Sequence, residues 1–245
     1  MQLLNMKICP FSTFLFIASS AAYTIHTYHK DRKRKLEKEA EKELSTMSSS
    51  IGDMQTCRVV FVLGGPGAGK GTQCELLTKN MPEWDHLSAG DLLRAERKKS
   101  DSELADLINS KIAAGQIVPA EITVSLLEKA MQESGKSCFL IDGFPRSEGN
   151  VTVWEEKMAT HNVEFVLFLD CPEEVMTSRL LTRGKTSGRV DDNLDVIRKR
   201  FQTFRQESMP IVERYEGKGK VQRVVADRSV DDVYKEVSKL FISLK

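Results

Sequence analysis

The sequence has few cysteines and no strong excess of either charge. Its five cysteines are scattered and never form a CxxC pair, which argues against a disulfide framework or a cysteine-based zinc site; they are Cys9, Cys57, Cys74, Cys138 and Cys171. The formal net charge is +1, and the basic excess falls in residues 30–44, so the rest of the chain is slightly acidic. This slightly acidic part of the chain is not expected to bind nucleic acid, although it can hold small anions in a local basic pocket.

A long hydrophobic run is also missing. Residues 8–29 carry no formal charge, but proline, serine and threonine dilute the apolar stretch below the roughly 20 residues that a spanning helix needs. Three interpretations stay open: a membrane anchor or membrane contact through residues 8–29, a cleaved signal ending near residues 20–22, and an inert leader. If the segment is an anchor, the basic cluster that follows it keeps the C-terminal body in the cytosol.

Three regions are expected along the chain. Residues 1–29 form the leader, and residues 30–56 form a charged, Lys/Glu-rich helix followed by a serine-rich linker. Residues 57–245 form one domain with predicted strands at 57–63, 84–88, 138–141, 164–169 and 221–225. The helices predicted between and after them cover residues 70–79, 91–98, 101–114, 120–133, 172–183, 194–215 and 230–244, with a polar loop at 184–193. This alternation predicts an α/β fold, a doubly wound five-stranded parallel sheet with helices on both faces.

The strongest motif is GGPGAGKGT at residues 64–72, between the first predicted strand and the helix after it. Glycines allow successive backbone N–H groups to point into one concavity, and the helix N-terminus adds positive potential, so this turn suits a phosphate. Lys70 can reach the β- and γ-phosphates of a nucleotide, and the hydroxyl of Thr72 can ligate Mg²⁺. The usual P-loop has Ser or Thr directly after the lysine, whereas here Gly71 intervenes.

Three further motifs carry arginines. LSAGDLLR at residues 87–94 and FLIDGFPR at residues 139–146 each end in an arginine, Arg94 or Arg146, whose guanidinium can bind two phosphate oxygens. Counted along the chain from the P-loop, these are the second and third motifs, and the fourth is RLLTRGKTSGRVDDN at residues 179–193, which is followed by Arg200. The arginines of this segment would repel one another without an anion to surround. No Cys/His ligand set interrupts the segment, so a zinc-bearing form of it is excluded.

In their order along the chain, these motifs resemble those of the adenylate kinase superfamily in its short-lid form, and most of all those of the UMP-CMP kinases. The resemblance covers the chain from residue 57 to the C-terminus and does not cover residues 1–52. It implies a mobile NMP-binding segment over residues 88–118 and a mobile lid over residues 183–193. It also implies direct in-line transfer of the γ-phosphoryl group of MgATP to a nucleoside monophosphate, without a covalent enzyme intermediate.

The same resemblance implies roles for individual residues. The catalytic residues would be Lys70, Arg146, Arg183, Arg189 and Arg200. The ATP-binding residues would be Gly67, Ala68, Gly69, Lys70, Gly71, Thr72, Arg183 and Arg228. The NMP-binding residues would be Ala89, Arg94, Gln116, Ile117, Val118, Gly143, Phe144, Pro145, Arg146, Asn150, Arg189 and Arg200. Mg²⁺ is expected to arrive with ATP, ligated by Thr72 and by water near Asp142.

Two positions bear on the base of the acceptor. Ala89 and Asn150 stand where adenylate kinases carry Thr and Gln, and both match the UMP-CMP kinases. By rotation, the Asn150 amide could offer its NH₂ or its C=O, and so accept uracil and cytosine alike. The alternative is that Asn150 only caps a helix starting at Val151.

We therefore expect a monomeric kinase of the cytoplasm or nucleus that uses ATP to phosphorylate UMP, CMP and dCMP. Two alternatives remain at this point. An adenylate kinase would share all four motifs. A non-catalytic nucleotide switch would need the P-loop but would have no use for Arg94 and Arg146.

Overall fold

The computed structural model describes residues 56–99, 104–187, 189, 191–242 and 244. The predictions for the leader, the charged helix and most of the linker therefore lie outside the described residues. Within the part that is described, no helix is both long enough and apolar enough to cross a membrane.

The centre of the domain is a five-stranded parallel sheet in the order β2-β3-β1-β4-β5. The strands are β1 (Arg58–Gly64), β2 (Trp84–Ser88), β3 (Cys138–Asp142), β4 (Asn162–Asp170) and β5 (Val221–Val225). The register pairs Asp142 with Val62 on one side and with Ser88 on the other, so β1, β2 and β3 end at the same edge. The loops that carry the first three motifs therefore start side by side.

Helices cover both faces of this sheet. They are α1 (Lys70–Asn80), α2 (Ala89–Glu96), α3 (Ala105–Ala113), α4 (Ala120–Ser134), α5 (Glu148–Lys157), α6 (Glu173–Ser187), α7 (Leu194–Thr203), α8 (Met209–Glu216) and α9 (Val230–Ile242). Alternate residues of β1 enter opposite cores: Val60 and Val62 pack with α1 and α9, whereas Phe61 packs with α4, α5 and α8. The predicted doubly wound α/β fold is confirmed.

The helix predicted over residues 194–215 contains an irregularity. Between α7 and α8 the backbone forms one π-helical stretch, Phe204–Ser208, where the N–H of Met209 donates to the carbonyl of Phe204. Pro210 follows at the start of α8 and has no N–H to donate, so the regular i→i−4 ladder cannot run through this point. The distortion directs Ser208 toward the third motif, where its hydroxyl donates to the carbonyl of Arg146 at 3.0 Å.

The polar loop predicted for residues 184–193 is wrong for its first four residues, because α6 continues to Ser187. Gly184 permits this extension. A Cβ at Gly184 would lie 2.7 Å from the carbonyl oxygen of Asp192, so only glycine lets the returning chain pack against the helix here.

Candidate active site

The GGPGAGKGT segment forms a tight turn from β1 into α1. Gly67 has a φ of 88°, and a Cβ there would lie 2.6 Å from the carbonyl oxygen of Met176, so no other residue fits. Gly69 occupies the N-cap of α1 without a side-chain hydrogen bond to the first turn. The N–H groups at this helix end are therefore available to an anion.

Lys70 lies folded back on this turn. Its Nζ donates to the carbonyl oxygens of Gly64 and Gly65 at 2.9 and 3.0 Å. Burial lowers the pKa of Lys70 to about 8, although the nearby Asp142 carboxylate opposes that change. Among the described residues, only neutral carbonyls satisfy the ammonium group directly, so an incoming phosphate would be a better partner.

Arg146, the cation of the third motif, is buried. Its Nε donates to the carbonyl of Gly143 at 2.6 Å, and a Cβ at Gly143, whose φ is 73°, would clash with its Nη2 at 2.7 Å. Burial, and next the charge of Arg200, lower the pKa of Arg146 to about 10. Two like charges held close together in a cleft point to an anionic ligand.

Two aspartates of the fourth motif hold its arginines in place. Arg183 makes a bidentate pair with Asp192 at 2.7 and 2.8 Å, and Arg200 contacts Asp191 Oδ2 at 2.9 Å and Asp192 Oδ1 at 3.0 Å. Burial would raise the pKa of Asp192, but the hydrogen bond from Arg183 and the two arginine charges outweigh it and lower the pKa. Asp192 therefore stays ionised and fixes both guanidinium groups.

Asp91 joins the second motif to the fourth. Its Oδ1 accepts hydrogen bonds from Arg94 Nη2 at 2.6 Å and from Arg189 Nη2 at 3.3 Å. Burial raises the pKa of Asp91, but the bonds and charges of these arginines have the larger total effect and lower it. Two arginines that are predicted to bind phosphate thus share one carboxylate.

Nearly all the predicted site residues line one connected region. A polar cleft is lined by the P-loop, by the five arginines with predicted catalytic or NMP-binding roles and by Arg228; its predicted residues are Gly67, Ala68, Gly69, Lys70, Gly71, Thr72, Arg94, Arg146, Arg183, Arg189, Arg200 and Arg228. An adjoining pocket is lined by Ala89, Gln116, Ile117, Val118, Gly143 and Asn150, and Pro145 lies at a neighbouring hollow. Both are built from the loops at one sheet edge, as expected for α/β ligand sites.

Phe144 is not brought to this region. Its side chain is fully buried and lies edge-on to Phe61, with ring centroids 5.8 Å apart, so it belongs to the core. The acceptor contact that the resemblance implies for Phe144 could therefore come only from its backbone, because the apolar ring is more stable in the dry core than in a polar cleft.

The interpretation of Asn150 as the cap of a helix starting at Val151 is wrong. Helix α5 begins at Glu148, and the cap is Ser147, whose hydroxyl accepts from the N–H of Asn150. The Asn150 side chain is 2% exposed and lines the adjoining pocket, where its Oδ1 accepts from the N–H of Arg146 at 3.0 Å.

The residues expected near Mg²⁺ are compatible with a metal held mainly by a nucleotide. Thr72 and Asp142 line the same cleft. Burial would raise the pKa of Asp142, but the contact with His86, whose Nε2 lies 3.5 Å from Asp142 Oδ2, and the charge of Lys70 lower it, so the carboxylate is ionised. Among the described residues no group of three or more Asp, Glu, His or Cys side chains could hold a metal by itself. Phosphate oxygens and water would have to complete the coordination.

The cleft also contains residues that the sequence analysis did not assign. Arg179 lines it and donates to the carbonyl of Ala226 at 2.9 Å. Gln73 lines it too, and its buried Oε1 has no partner in the described part of the chain. The i, i+4 spacing of Arg179 and Arg183 puts both on one helical face and could have indicated Arg179. No comparable signal marked Gln73.

Comparison with known proteins gives a consistent result. The family model described as adenylate kinase matches residues 62–220. The chain is 53% identical over 189 residues to a protein of Danio rerio named UMP-CMP kinase, covering 75% of this chain and 96% of that protein. It is 55% identical over 182 residues to a Saccharomyces cerevisiae protein named uridylate kinase, covering 73% and 88% respectively. An Arabidopsis thaliana protein named UMP-CMP kinase 3 is 48% identical over 198 residues, covering 81% and 96%. The chain therefore belongs to the adenylate kinase family, within its UMP-CMP kinase group.

Proposed function

We propose that this chain transfers the γ-phosphoryl group of MgATP to UMP, CMP and dCMP, forming ADP and the pyrimidine nucleoside diphosphate. The observation that carries the proposal is the cation cluster where the two pockets meet. Arg94, Arg146 and Arg200 line both the P-loop cleft and the pocket that contains Asn150, and Lys70 lines the cleft close enough to feel the charges of Arg146 and Arg200. A purely nucleotide-binding switch would need the P-loop but not a second arginine-lined pocket beside it.

The chemistry needs positioning and charge stabilisation rather than a side-chain nucleophile. Lys70 leaves the loop carbonyls and binds the β- and γ-phosphates. Arg94 and Arg146 orient the phosphate of the acceptor, while Arg183, Arg189 and Arg200 neutralise the charge that develops on the transferring group. The acceptor oxygen attacks phosphorus in line with the bridging oxygen that leaves on ADP.

Closure of two segments would exclude water, which otherwise competes as acceptor. We assign these roles to residues 88–118 as the NMP-binding segment and residues 183–193 as the lid. Asp91 is placed to couple them, because it already bonds Arg94 of one and Arg189 of the other. Thr72 and Asp142 would hold Mg²⁺ with the nucleotide, and when bound the ion lowers the negative charge of the phosphates.

We also propose that the enzyme acts as a monomer in the cytoplasm or nucleus. Contact of residues 8–29 with a membrane would leave the kinase domain in the cytosol. The membrane proposal rests on the sequence, since residues 8–29 lie outside those described.

The choice of acceptor is the direct test of this function. In a coupled assay of ADP formation, UMP and CMP should exceed AMP by at least about tenfold in kcat/KM. Omitting the monophosphate measures the background hydrolysis of ATP. Equal use of AMP and UMP would make the chain an adenylate kinase, and ATP binding without turnover on any monophosphate would favour a switch.

Asn150 should decide part of this selectivity. Asn150→Ala removes a buried side chain that contacts Arg146 and lines the pocket, so kcat/KM should fall more for UMP and CMP than for AMP. Asn150→Asp is the matched variant, since a carboxylate still accepts from the Arg146 N–H but cannot donate to a base. If Asn150→Asp matches the native enzyme, the residue serves Arg146 and not the base.

A further inference from the structure

The orientation of the Asn150 amide is fixed by its neighbours. A backbone N–H can only donate, so the side-chain atom that faces the Arg146 N–H at 3.0 Å has to be the oxygen. The nitrogen, Nδ2, is buried and has no partner among the described residues. Asn150 therefore presents a donor to the pocket, and rotation of its amide would break the bond to Arg146.

A fixed donor cannot by itself read uracil and cytosine alike. Both bases carry an acceptor at O2, which a fixed N–H₂ group can meet in either case. At positions 3 and 4 the two bases are opposites, because cytosine presents an acceptor and a donor where uracil presents a donor and an acceptor. Reading that edge in both bases requires a group that donates to one and accepts from the other.

Thr123 supplies such a group. It lies in the first turn of α4, is 6% exposed and lines the same pocket as Asn150. Its hydroxyl donates to the carbonyl of Pro119 at 3.4 Å, a long bond, and that carbonyl already accepts from the Thr123 N–H at 3.3 Å. The hydroxyl can thus turn away without leaving the carbonyl unpaired.

The other lining side chains do not offer this choice. Thr123 carries the one hydroxyl among the described residues that line this pocket. Arg94, Arg146 and Arg200 can only donate, Asp191 is paired with Arg200, and the oxygen of Gln116 accepts from Lys111 at 3.1 Å. The remaining lining residues are glycine or apolar.

We propose that Thr123 is a specificity-determining residue, whose rotating hydroxyl contacts the edge by which uracil and cytosine differ, while Asn150 Nδ2 contacts an acceptor common to both. The proposal rests on the proposed pyrimidine kinase activity. With the base in place the pocket excludes water, so removing the hydroxyl leaves a polar group of either base without a partner. Tolerance of two bases then comes from a hydroxyl rotor rather than from an amide flip.

The test compares Thr123→Val, Thr123→Ser and Thr152→Val with the native full-length chain. Thr152 is the matched control, because its exposed hydroxyl makes the same kind of bond, to the carbonyl of Glu148 at 3.1 Å, outside the pocket. Thr123→Val should lower kcat/KM about tenfold for UMP and for CMP, with the KM for ATP and the Tm unchanged, as in the control. Thr123→Ser keeps the hydroxyl and should stay within about threefold of native.

Three results would overturn this inference. Thr123→Val could leave kcat/KM unchanged for both UMP and CMP, or it could lower kcat/KM for only one of them. Alternatively, Thr123→Ser could lose as much kcat/KM as Thr123→Val, which would indicate that Thr123 has a packing role. Each leaves the proposed function intact as long as the native chain prefers UMP and CMP. Equal use of AMP by the native chain would instead remove the function on which the inference rests.

Discussion

Replacing Lys70 by methionine is expected to lower kcat roughly a thousandfold or more while the domain stays folded. Within the described part of the chain, the ammonium group hydrogen-bonds only to loop carbonyls, so it is free to move to the phosphates when ATP binds. Methionine keeps the length of the apolar stem but cannot neutralise the charge that develops during transfer. Burial lowers the pKa of Lys70 because the charged ammonium group loses its hydration. An uncharged methionine removes this desolvation cost, which is why the domain is expected to stay folded.

The assay is steady-state ADP formation with UMP, alongside thermal unfolding to establish that the variant is folded. Lys79→Met is the matched control, since Lys79 lies exposed in the last turn of the same helix, away from the cleft. It should retain native kcat. A folded Lys70→Met variant with near-native kcat would contradict phosphoryl transfer at this P-loop.

The second large effect is expected at Arg189. Arg189→Ala should lower kcat about a hundredfold or more, and the KM for UMP should change much less, because a lid contact reaches full strength only in the closed, reacting complex. In this structure Arg189 is held by Asp91, which also bonds Arg94. An incoming phosphate can replace that carboxylate as the shared partner of the two arginines.

Lys185→Ala is the control for Arg189, because Lys185 is an exposed cation of the same segment. Kinetics should be measured with ATP saturating and UMP varied, and then the reverse. A rise in the KM for UMP with kcat unchanged would leave Arg189 only its acceptor-binding role and remove its role in the transfer step.

The sheet and the P-loop could be predicted from the sequence because their signals are local. The run from Val59 to Leu63 is apolar at consecutive positions, and such a run is stable as a strand only when both faces are covered. The glycines of the P-loop mark a turn that other residues cannot form, as the contact at Gly67 demonstrates. Strand boundaries accordingly differ from prediction by a few residues at most.

Local sequence signals failed where the end of a helix or the location of a side chain depends on a contact with a distant part of the chain. The helix predicted to stop at residue 183 runs to Ser187, because Gly184 allows the backbone of Asp192 to pack against it. The aromatic ring of Phe144 lies within a site motif, yet it packs against Phe61 in the core. Neither outcome is encoded in the spacing of neighbouring residues.

The sequence by itself determined which side chains could bind phosphate, since an arginine or a lysine in these motifs has the required charge and reach wherever it is placed. The tertiary structure alone decided their partners. Asp91 and Arg189 are 98 residues apart in the chain, and they meet because α2 and the segment after α6 flank one cleft. Thr123 and Asn150 line one pocket for the same reason, because α4 and α5 pack over one face of the sheet. The orientation of the Asn150 amide likewise depends on a backbone N–H that the fold holds against it. Spacing along a chain fixes only contacts within a turn or strand, whereas contacts between elements follow from how their apolar faces are buried.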